Sequence, residues 1–424
     1  MSAMFPIPQA PADSAADALA GADGGSGAGA EESQRSRRWR RADPETLLEG
    51  LNPPQRAAVV HEGSPLLVVA GAGSGKTAVL TRRIAWLLSQ RDAHPGSILA
   101  ITFTNKAAAE MRERVAELTT PRTAAAMWVS TFHSACVRIL RREIERFGYK
   151  SSFSIYDDAD QRRLMSMVCR DLDLDPKRYT PRSVLNWVSG CKNELRDHDE
   201  ATKRAQNHLE EVYAEAYGVY QSRLREANAL DFDDLIMVTV HLFQAFPEVR
   251  ETYRRRFRHV LVDEYQDTNH AQYALVRELC APQAARRTVD GDLVGATGPS
   301  ADAETPPQAP PAELMVVGDA DQSIYAFRGA SIRNILQFEE DFPDARTVLL
   351  EQNYRSTQTI LSAANAVISR NQGRKPKNLW SDAGEGSRIV GYVADDEHDE
   401  ARFVAEEIDR LTDEKEALPR DVAV

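Results

Sequence analysis

Residues 65–77 read Pro-Leu-Leu-Val-Val-Ala-Gly-Ala-Gly-Ser-Gly-Lys-Thr, and this stretch decides the fold. Its first half is typical of a buried strand, its glycines predict a turn, and the residues from Ala78 to Leu88 have the pattern of a helix. A strand, a glycine turn and a helix in this order make a phosphate-binding loop, because glycine backbones approach phosphates closely and a helix N-terminus attracts anions. The sequence therefore predicts a nucleoside triphosphate site, in which Lys76 reaches the β- and γ-phosphates and Thr77 binds Mg²⁺.

The composition is that of a globular protein. With 424 residues, 42% of them hydrophobic, the chain is long enough for about two or three domains and a large core. The four cysteines are far apart, which predicts neither a zinc site nor a disulfide framework. The N-terminus lacks the regions of a signal peptide and no apolar run reaches the length of a membrane span, so we expect a cytoplasmic protein with no membrane partner.

The charge distribution bears on a nucleic-acid partner. The formal net charge of −12 disfavours one, but residues 382–424 hold most of the excess, with 14 Asp and Glu against 5 Lys and Arg. Basic clusters lie at Arg35–Arg41, Arg138–Arg142 and Arg254–Arg258. Each cluster is either a solvated face or a phosphate contact, and the sequence leaves both interpretations open.

Short apolar runs separated by helical segments predict a parallel α/β sheet. The predicted strands are Leu66–Ala70, Ile98–Phe103, Met127–Thr131, His259–Asp263, Leu314–Gly318 and Arg346–Leu350. Between about 134 and 255 the pattern is helical only, which predicts an inserted helical subdomain. The compositions of residues 1–43 and 283–313 predict a disordered tail and a disordered insertion. Asp421–Val424 has the pattern of a strand and predicts an interrupted domain.

A second acidic site follows one of the predicted strands. Residues 260–267 read Val-Leu-Val-Asp-Glu-Tyr-Gln-Asp, so two carboxylates come directly after a buried strand. Asp263 would hold Mg²⁺ through water, and Glu264 would polarise the attacking water. Together with Lys76 and Thr77, this pattern predicts a triphosphatase.

Further segments follow in the order of a known set of motifs. They are Leu-Asn-Pro-Pro-Gln at 51–55, Ile-Thr-Phe-Thr-Asn-Lys-Ala-Ala at 101–108, Ser-Thr-Phe-His-Ser at 130–134, Val-Gly-Asp-Ala-Asp-Gln-Ser-Ile-Tyr at 317–325 and Leu-Leu-Glu-Gln-Asn-Tyr-Arg-Ser at 349–356. With the glycine loop and the acidic run, they resemble the motifs of the UvrD/PcrA/Rep type of superfamily-one DNA helicase. The resemblance spans about residues 48–424.

The resemblance assigns residues to ATP and Mg²⁺. The amide of Gln55 matches the edge of adenine, Tyr354 can stack on the base, and Arg355 can reach the γ-phosphate from the second motor domain. The residues assigned to ATP are Gln55, Ala70, Gly71, Ala72, Gly73, Ser74, Gly75, Lys76, Thr77, Tyr354 and Arg355. Those assigned to catalysis are Lys76, Glu264, Gln322 and Arg355. Those assigned to the metal are Thr77 and Asp263.

The resemblance also implies a path for single-stranded DNA. Aromatic side chains beside a basic residue offer a stacking platform for bases, although core packing is the alternative interpretation. The residues assigned to DNA are Phe103, Thr104, Asn105, Thr131, His133, Tyr325, Phe327 and Arg328. Phe327 stands where many relatives carry tryptophan, so weaker stacking is expected, and His133 either contacts phosphate or packs. The carboxylates of residues 231–234 are left out of the active site, because they can cap the helix that follows.

The resemblance implies two RecA-like motor domains with ATP between them. Residues 44–133 and 256–350 would form domain 1A, 134–255 the helical subdomain 1B, and 351–424 the beginning of domain 2A. It also implies movement from 3′ to 5′ along single-stranded DNA, unwinding of 3′-tailed duplexes and DNA-repair proteins as partners. Since the family's later motifs do not follow here, we expect ATP binding without unwinding. The alternatives are an ATPase subunit of a helicase–nuclease and a DNA-binding fragment without motor activity.

Overall fold

In a computed structural model, the described residues are 43–281, 310–325, 329–371, 374 and 376–424. Most of the predicted tail and of the predicted insertion lies outside them. Both disordered segments were nevertheless predicted to extend too far along the chain, to Asp43 and to Glu313. The Asp43 side chain accepts a hydrogen bond from the backbone N–H of Glu45 and caps the first helix, and Glu313 belongs to a strand. Composition alone does not reveal this, because Asp43 is ordered by the helix that it caps and Glu313 by the strand that it begins.

Eight strands form two parallel sheets in the described residues. Numbered in chain order, they are β1 Leu66–Ala70, β2 Ile98–Thr102, β3 Trp128–Thr131, β4 Ser154–Tyr156, β5 Ala229–Asp231, β6 His259–Val262, β7 Glu313–Gly318 and β8 Arg346–Leu350. The main sheet has the order β3-β2-β6-β7-β1-β8. The parallel α/β sheet is therefore confirmed, and its six strands lie within one residue of the predicted bounds.

Helices connect the strands of the main sheet and form the segment between β3 and β6. In chain order they are α1 Pro44–Leu48, α2 Pro53–Val60, α3 Lys76–Gln90, α4 Asn105–Leu118, α5 Pro121–Ala126, α6 Phe132–Glu143, α7 Asp158–Asp171, α8 Pro181–Asn193, α9 His198–Arg204, α10 His208–Glu226, α11 Phe232–Ala245, α12 Pro247–Arg256, α13 His270–Cys280, α14 Arg333–Leu336, α15 Phe338–Asp341, α16 Gln358–Ile368 and α17 Glu397–Asp413. None of these helices combines the length and apolar character needed to cross a membrane.

The main sheet is covered on both faces. All five residues of β1 are buried, and they alternate between two cores: Leu67 and Val69 pack with α6, α11 and α13, whereas Leu66 and Val68 pack with α2, α3 and α4. This burial on both sides explains the continuous apolar runs of the sequence. It also leaves the carboxyl ends of the parallel strands as the edge where polar side chains converge.

The segment between β3 and β6 corrects one prediction. It is not helical only, because β4 pairs in parallel with β5. Strands of three residues are too short to give a recognisable alternation. A third hydrophobic core, from Met165 to Ala229, lies in this segment, whereas α6 and α11 pack on the main sheet. The domain bounds stay a prediction.

The structure also corrects the prediction of a strand at residues 421–424. Residues 421–424 are not a strand, since a 3₁₀-helix occupies Pro419–Asp421 and the last residues have no regular structure. Pro419 favours a helical turn at this point, because proline fixes φ near the helical value.

Candidate functional site

The glycine loop runs from the end of β1 to the first turn of α3. Gly73 and Gly75 have φ of 71° and 86°, a left-handed conformation that side chains disfavour. Inside the loop, the Ser74 hydroxyl donates to the Gly71 carbonyl at 2.8 Å. From outside, Gln55 Nε2 donates to the Ser74 carbonyl at 2.9 Å and ties α2 to the loop. The conformation of the loop is therefore fixed by its left-handed glycines and by these two hydrogen bonds.

Lys76 and Glu264 meet at the carboxyl edge of the sheet. Lys76 Nζ lies 3.3 Å from Glu264 Oε2, although 188 residues separate the two positions. Glu264 follows β6 with φ 48° and ψ 45°, which is unusual for a residue with a side chain. Strain of this kind clusters at functional sites. The two side chains predicted for phosphate binding and water activation are thus brought into direct contact.

Three carboxylates, those of Asp263, Glu264 and Asp267, lie close together in the segment that follows β6. Burial, followed by the charge of Glu264, raises the pKa of Asp263 and that of Asp267 to about 6. Asp267 Oδ1 is buried without a hydrogen-bond partner. A divalent cation beside these groups would relieve both their mutual repulsion and their desolvation.

Gln266 lies within this acidic run and links it to β7. Its side chain is 1% exposed, and Nε2 donates to Glu264 Oε2 at 2.8 Å. Its Oε1 accepts from the backbone N–H of Asp319 at 2.9 Å. In turn, Gln322 Nε2 donates to Asp319 Oδ2 at 2.6 Å. Gln322, predicted to contact the attacking water or the γ-phosphate, therefore has a carboxylate partner beside the site.

The segment after β8 covers the glycine loop. The backbone N–H of Tyr354 donates to the Gly73 carbonyl at 2.9 Å, and Asn353 Nδ2 donates to the Ala72 carbonyl at 2.5 Å. A Cβ on Gly71 would collide with the side chain of Leu379. Arg355 begins beside Gly73, while its side chain is exposed. The structure therefore places the backbone of Tyr354 and the Cβ of Arg355 against the loop, and their roles towards ATP stay predictions.

Gln55, which is predicted to contact adenine, is hydrogen-bonded within the protein. Gln55 is 3% exposed, and its Oε1 accepts from the backbone N–H of Asn52 at 3.0 Å. Its Nε2 also has a partner, so one N–H of Gln55 and one lone pair of its Oε1 are the groups left for adenine. Asn52 Nδ2 donates to the Tyr354 hydroxyl at 3.0 Å, which fixes the otherwise exposed ring beside α2.

Of the residues predicted to bind DNA, those that the structure describes lie at or just after the carboxyl ends of β2, β3 and β7. Phe103 and Tyr325 have nearly parallel rings, with centroids 6.4 Å apart and an angle of 16°. Thr104 and Thr131 cap α4 and α6, and Asn105 is exposed at the start of α4.

His133 packs edge-on against Phe232, with ring centroids 5.9 Å apart. Burial lowers the pKa of His133, so the ring is neutral at pH 7 and offers a phosphate no positive charge. Phe327 and Arg328 lie outside the described residues.

Two basic clusters have structural partners. The guanidinium groups of Arg138 and Arg256 lie 4.0 and 4.7 Å from the ring centroid of Trp128. Arg254 donates to the backbone carbonyls of Glu278 and Ala281. These contacts stabilise the packing around Trp128 and the end of α13, while Arg138 is exposed, so part of its cluster lies on a solvated face. The cluster at residues 35–41 lies outside the described residues.

Sequence reasoning gave no role to several residues of the site. Gln266 and Asn353 stand inside the quoted motifs, where their position beside catalytic candidates was the only signal. Lys377, which contacts Asp319 and Asp321, gave no signal, because 58 and 56 residues separate it from these partners.

Comparison with known proteins agrees with this geometry. Residues 51–343 match the family model described as UvrD/REP helicase N-terminal domain, and residues 348–424 match the one described as UvrD-like helicase C-terminal domain. The chain is 63% identical over 382 residues to the ATP-dependent DNA helicase UvrD1 of Mycobacterium tuberculosis (strain ATCC 25618 / H37Rv). It is 49% identical over 378 residues to the ATP-dependent DNA helicase PcrA of Bacillus subtilis (strain 168). Both alignments cover 89% of this chain and 47% of the relative, so the chain spans about half the length of the curated relatives it matches.

Proposed function

Because the chain belongs to the UvrD/REP helicase family, we propose that it forms the ATP-hydrolysing part of a helicase that moves from 3′ to 5′ along single-stranded DNA. The contact of Lys76 with Glu264 carries this proposal, because it joins the glycine loop to the acidic run at one edge of the sheet. Lys76 would bind the β- and γ-phosphates, and Glu264 would polarise the attacking water. DNA repair is the proposed setting.

Mg²⁺ is proposed between the phosphates, Thr77 and Asp263. Among the described residues, no group of three or more His, Cys, Asp or Glu side chains is arranged to hold a metal ion. This fits Mg²⁺, which usually takes one or two carboxylates and completes its shell with water and phosphate oxygens. The raised pKa of Asp263 and the partnerless Oδ1 of Asp267 support a cation here.

The test separates binding from chemistry. Lys76→Ala should weaken the binding of fluorescent Mg·ATP and abolish hydrolysis, because it removes the cation that faces the phosphates. Glu264→Gln should retain binding while turnover stops. Lys203→Ala and Glu215→Gln remove the same charges from exposed positions and serve as controls. Equal loss of nucleotide affinity in the Lys76 and Glu264 variants would refute these roles.

Single-stranded DNA is proposed to cross the carboxyl edge of the sheet. The nearly parallel rings of Phe103 and Tyr325 support this path, since aromatic stacking contributes about 1–3 kcal/mol per base without sequence preference. Phe103→Ala and Tyr325→Ala should each weaken the binding of an oligo(dT) strand about tenfold, as measured by fluorescence anisotropy. Tyr392→Ala, which removes an exposed ring beside α17, is the control. Unchanged DNA affinity in both site variants would contradict the path.

Arg355 is proposed to stabilise the γ-phosphate charge during hydrolysis. Its exposed side chain begins beside Gly73, so it can extend towards the phosphates. An arginine supplied in this way contributes about 10³–10⁵ in rate, and the family's later motifs would complete the arrangement. The 424-residue chain should therefore bind Mg·ATP, turn it over slowly and not unwind a 3′-tailed duplex. Robust unwinding by this chain would contradict that expectation.

A further inference from the structure

Asp319, at the end of β7, receives hydrogen bonds from two directions. Its Oδ2 accepts from Gln322 Nε2 at 2.6 Å, on the side of the proposed ATP site. Its Oδ1 accepts from Lys377 Nζ, which also contacts Asp321 Oδ2. The side chains of Lys377 and Asp319 are only 4% and 3% exposed. Burial of this kind makes the pair sensitive to small displacements of either partner.

Lys377 belongs to the segment that covers the glycine loop. Two residues further on, Leu379 contacts Gly71, and the backbone N–H of Asn353 donates to the carbonyl of Trp380. Residues 376–380 are therefore joined by backbone hydrogen bonds to the residues that directly follow β8. Any displacement of this segment from the loop would also displace the Lys377 ammonium group from Asp319.

The contact continues from Asp319 to Glu264. The backbone N–H of Asp319 donates to Gln266 Oε1, and Gln266 Nε2 donates to Glu264 Oε2. A continuous set of hydrogen bonds thus joins Lys377 to both Gln322 and Glu264. Turning the Gln266 amide over would break both contacts, because Oε1 accepts from Asp319 whereas Nε2 donates to Glu264.

Charge neutralisation alone does not account for Lys377. Arg374 already donates to both carboxylate oxygens of Asp321, at 3.0 and 2.7 Å. The hydrogen bonds from Arg374 and Lys377 hold the pKa of Asp321 below its usual value despite burial, which raises it. Of these two cations, Lys377 is the one that contacts Asp319. The Arg374 pair is therefore a matched control, since it ties the same segment to Asp321 in the turn after β7 and has no hydrogen bond to Asp319.

We propose that Lys377 is a positioning residue, which links the placement of residues 376–380 over the glycine loop to the orientation of Gln322 and, through Gln266, of Glu264. The catalytic consequence rests on the proposed function. Closure of the segment over the glycine loop would then orient two side chains through Asp319. These are Gln322, proposed to contact the γ-phosphate, and Glu264, proposed to polarise the attacking water.

Hydrogen exchange followed by mass spectrometry tests this coupling in the 424-residue chain. In Lys377→Met, amides of residues 319–323 should exchange about tenfold faster, together with those of 376–380, because Asp319 loses its cation. In Arg374→Gln, Lys377 keeps its contacts with Asp319 and Asp321, so the increase at 319–323 should be clearly smaller than in Lys377→Met. Equal exchange at 319–323 in Lys377→Met and in the unaltered chain, or the same increase in both variants, would overturn the proposal.

Titration with Mg·ATPγS supplies the readout that a purely structural role would not change. In the unaltered chain, saturating Mg·ATPγS should slow exchange in both peptides, 319–323 and 376–380, whereas in Lys377→Met it should slow exchange in 376–380 only. Slower exchange in only one of the two peptides of the unaltered chain would overturn the coupling without relying on the stability of any variant. If the unaltered chain does not bind Mg·ATPγS, the proposed function fails, while exchange in the absence of nucleotide still decides whether Lys377 links the two segments.

Discussion

Replacing Gly73 with alanine should destabilise the chain and weaken ATP binding. Gly73 has φ 71°, and the left-handed conformation costs a residue with a side chain about 1–2 kcal/mol. The new Cβ would also lie 2.7 Å from Arg355 Cβ and from Asn353 Nδ2, so the covering segment must withdraw. Withdrawal breaks the hydrogen bonds donated by Tyr354 N and Asn353 Nδ2, each contributing about 0.5–1.5 kcal/mol. The expected loss is about 2–5 kcal/mol.

Gly63→Ala is the matched control. Gly63 has φ 88°, but nothing lies within 4 Å of the added Cβ, so this variant loses only the backbone contribution of about 1–2 kcal/mol. Urea denaturation followed by circular dichroism gives the free energy of unfolding of each variant. The difference between the two variants, about 1–3 kcal/mol, then measures the contact between the loop and the covering segment. Mg·ATP affinity, from a fluorescence titration, should fall about tenfold in Gly73→Ala only.

Equal destabilisation by the two substitutions would refute the reasoning, because it would mean that residues 353–355 do not press on the loop in solution. Unchanged ATP affinity in Gly73→Ala would show, separately, that phosphate binding does not depend on the left-handed turn.

Two further predictions concern buried charges. Lys192→Met should lower the free energy of unfolding by about 3–5 kcal/mol, because it leaves Asp231 and Asp234 buried without their cation; Lys192→Met/Asp234→Asn should recover part of this loss, measured by urea denaturation. Glu313→Gln should destabilise the chain at pH 7, but less as the pH falls below the ordinary glutamate value of 4.5. Burial raises the pKa of Glu313, yet hydrogen bonds from neighbouring basic side chains hold that pKa well below its usual range; urea midpoints that shift equally at pH 7 and pH 3 would contradict this.

The main sheet could be predicted because its signal is local. A strand buried on both faces, such as β1, must be apolar throughout, and the glycine loop must follow it without a break. The same reasoning located the strand before Asp263 and hence the second half of the site. Asp231 was interpreted correctly as a helix cap, since its side chain accepts from the backbone N–H of Asp234 at 2.8 Å.

What could not be predicted depends on residues far apart in the chain. Glu313 follows a low-complexity stretch, yet Arg91 pairs with it at 2.6 Å and it opens β7. Lys192, in α8, gives no sequence signal of its contact with Asp231, 39 residues away. Such pairs are set by how helices and strands pack, and a pattern along the chain carries no information about them.

The candidate site shows why motif residues cannot be assigned to a ligand alone. Lys76 contacts Glu264, Gln322 contacts Asp319, and Gln55 supports the glycine loop through Ser74. Gln55 is buried and Lys76 and Gln322 are partly buried, and each of these side chains has a partner within the protein. A nucleotide that displaced one of these contacts would bind more weakly by the energy of the contact that it replaced. Under the proposed function, a phosphate that takes Lys76 from Glu264 would also free the carboxylate that is proposed to polarise water.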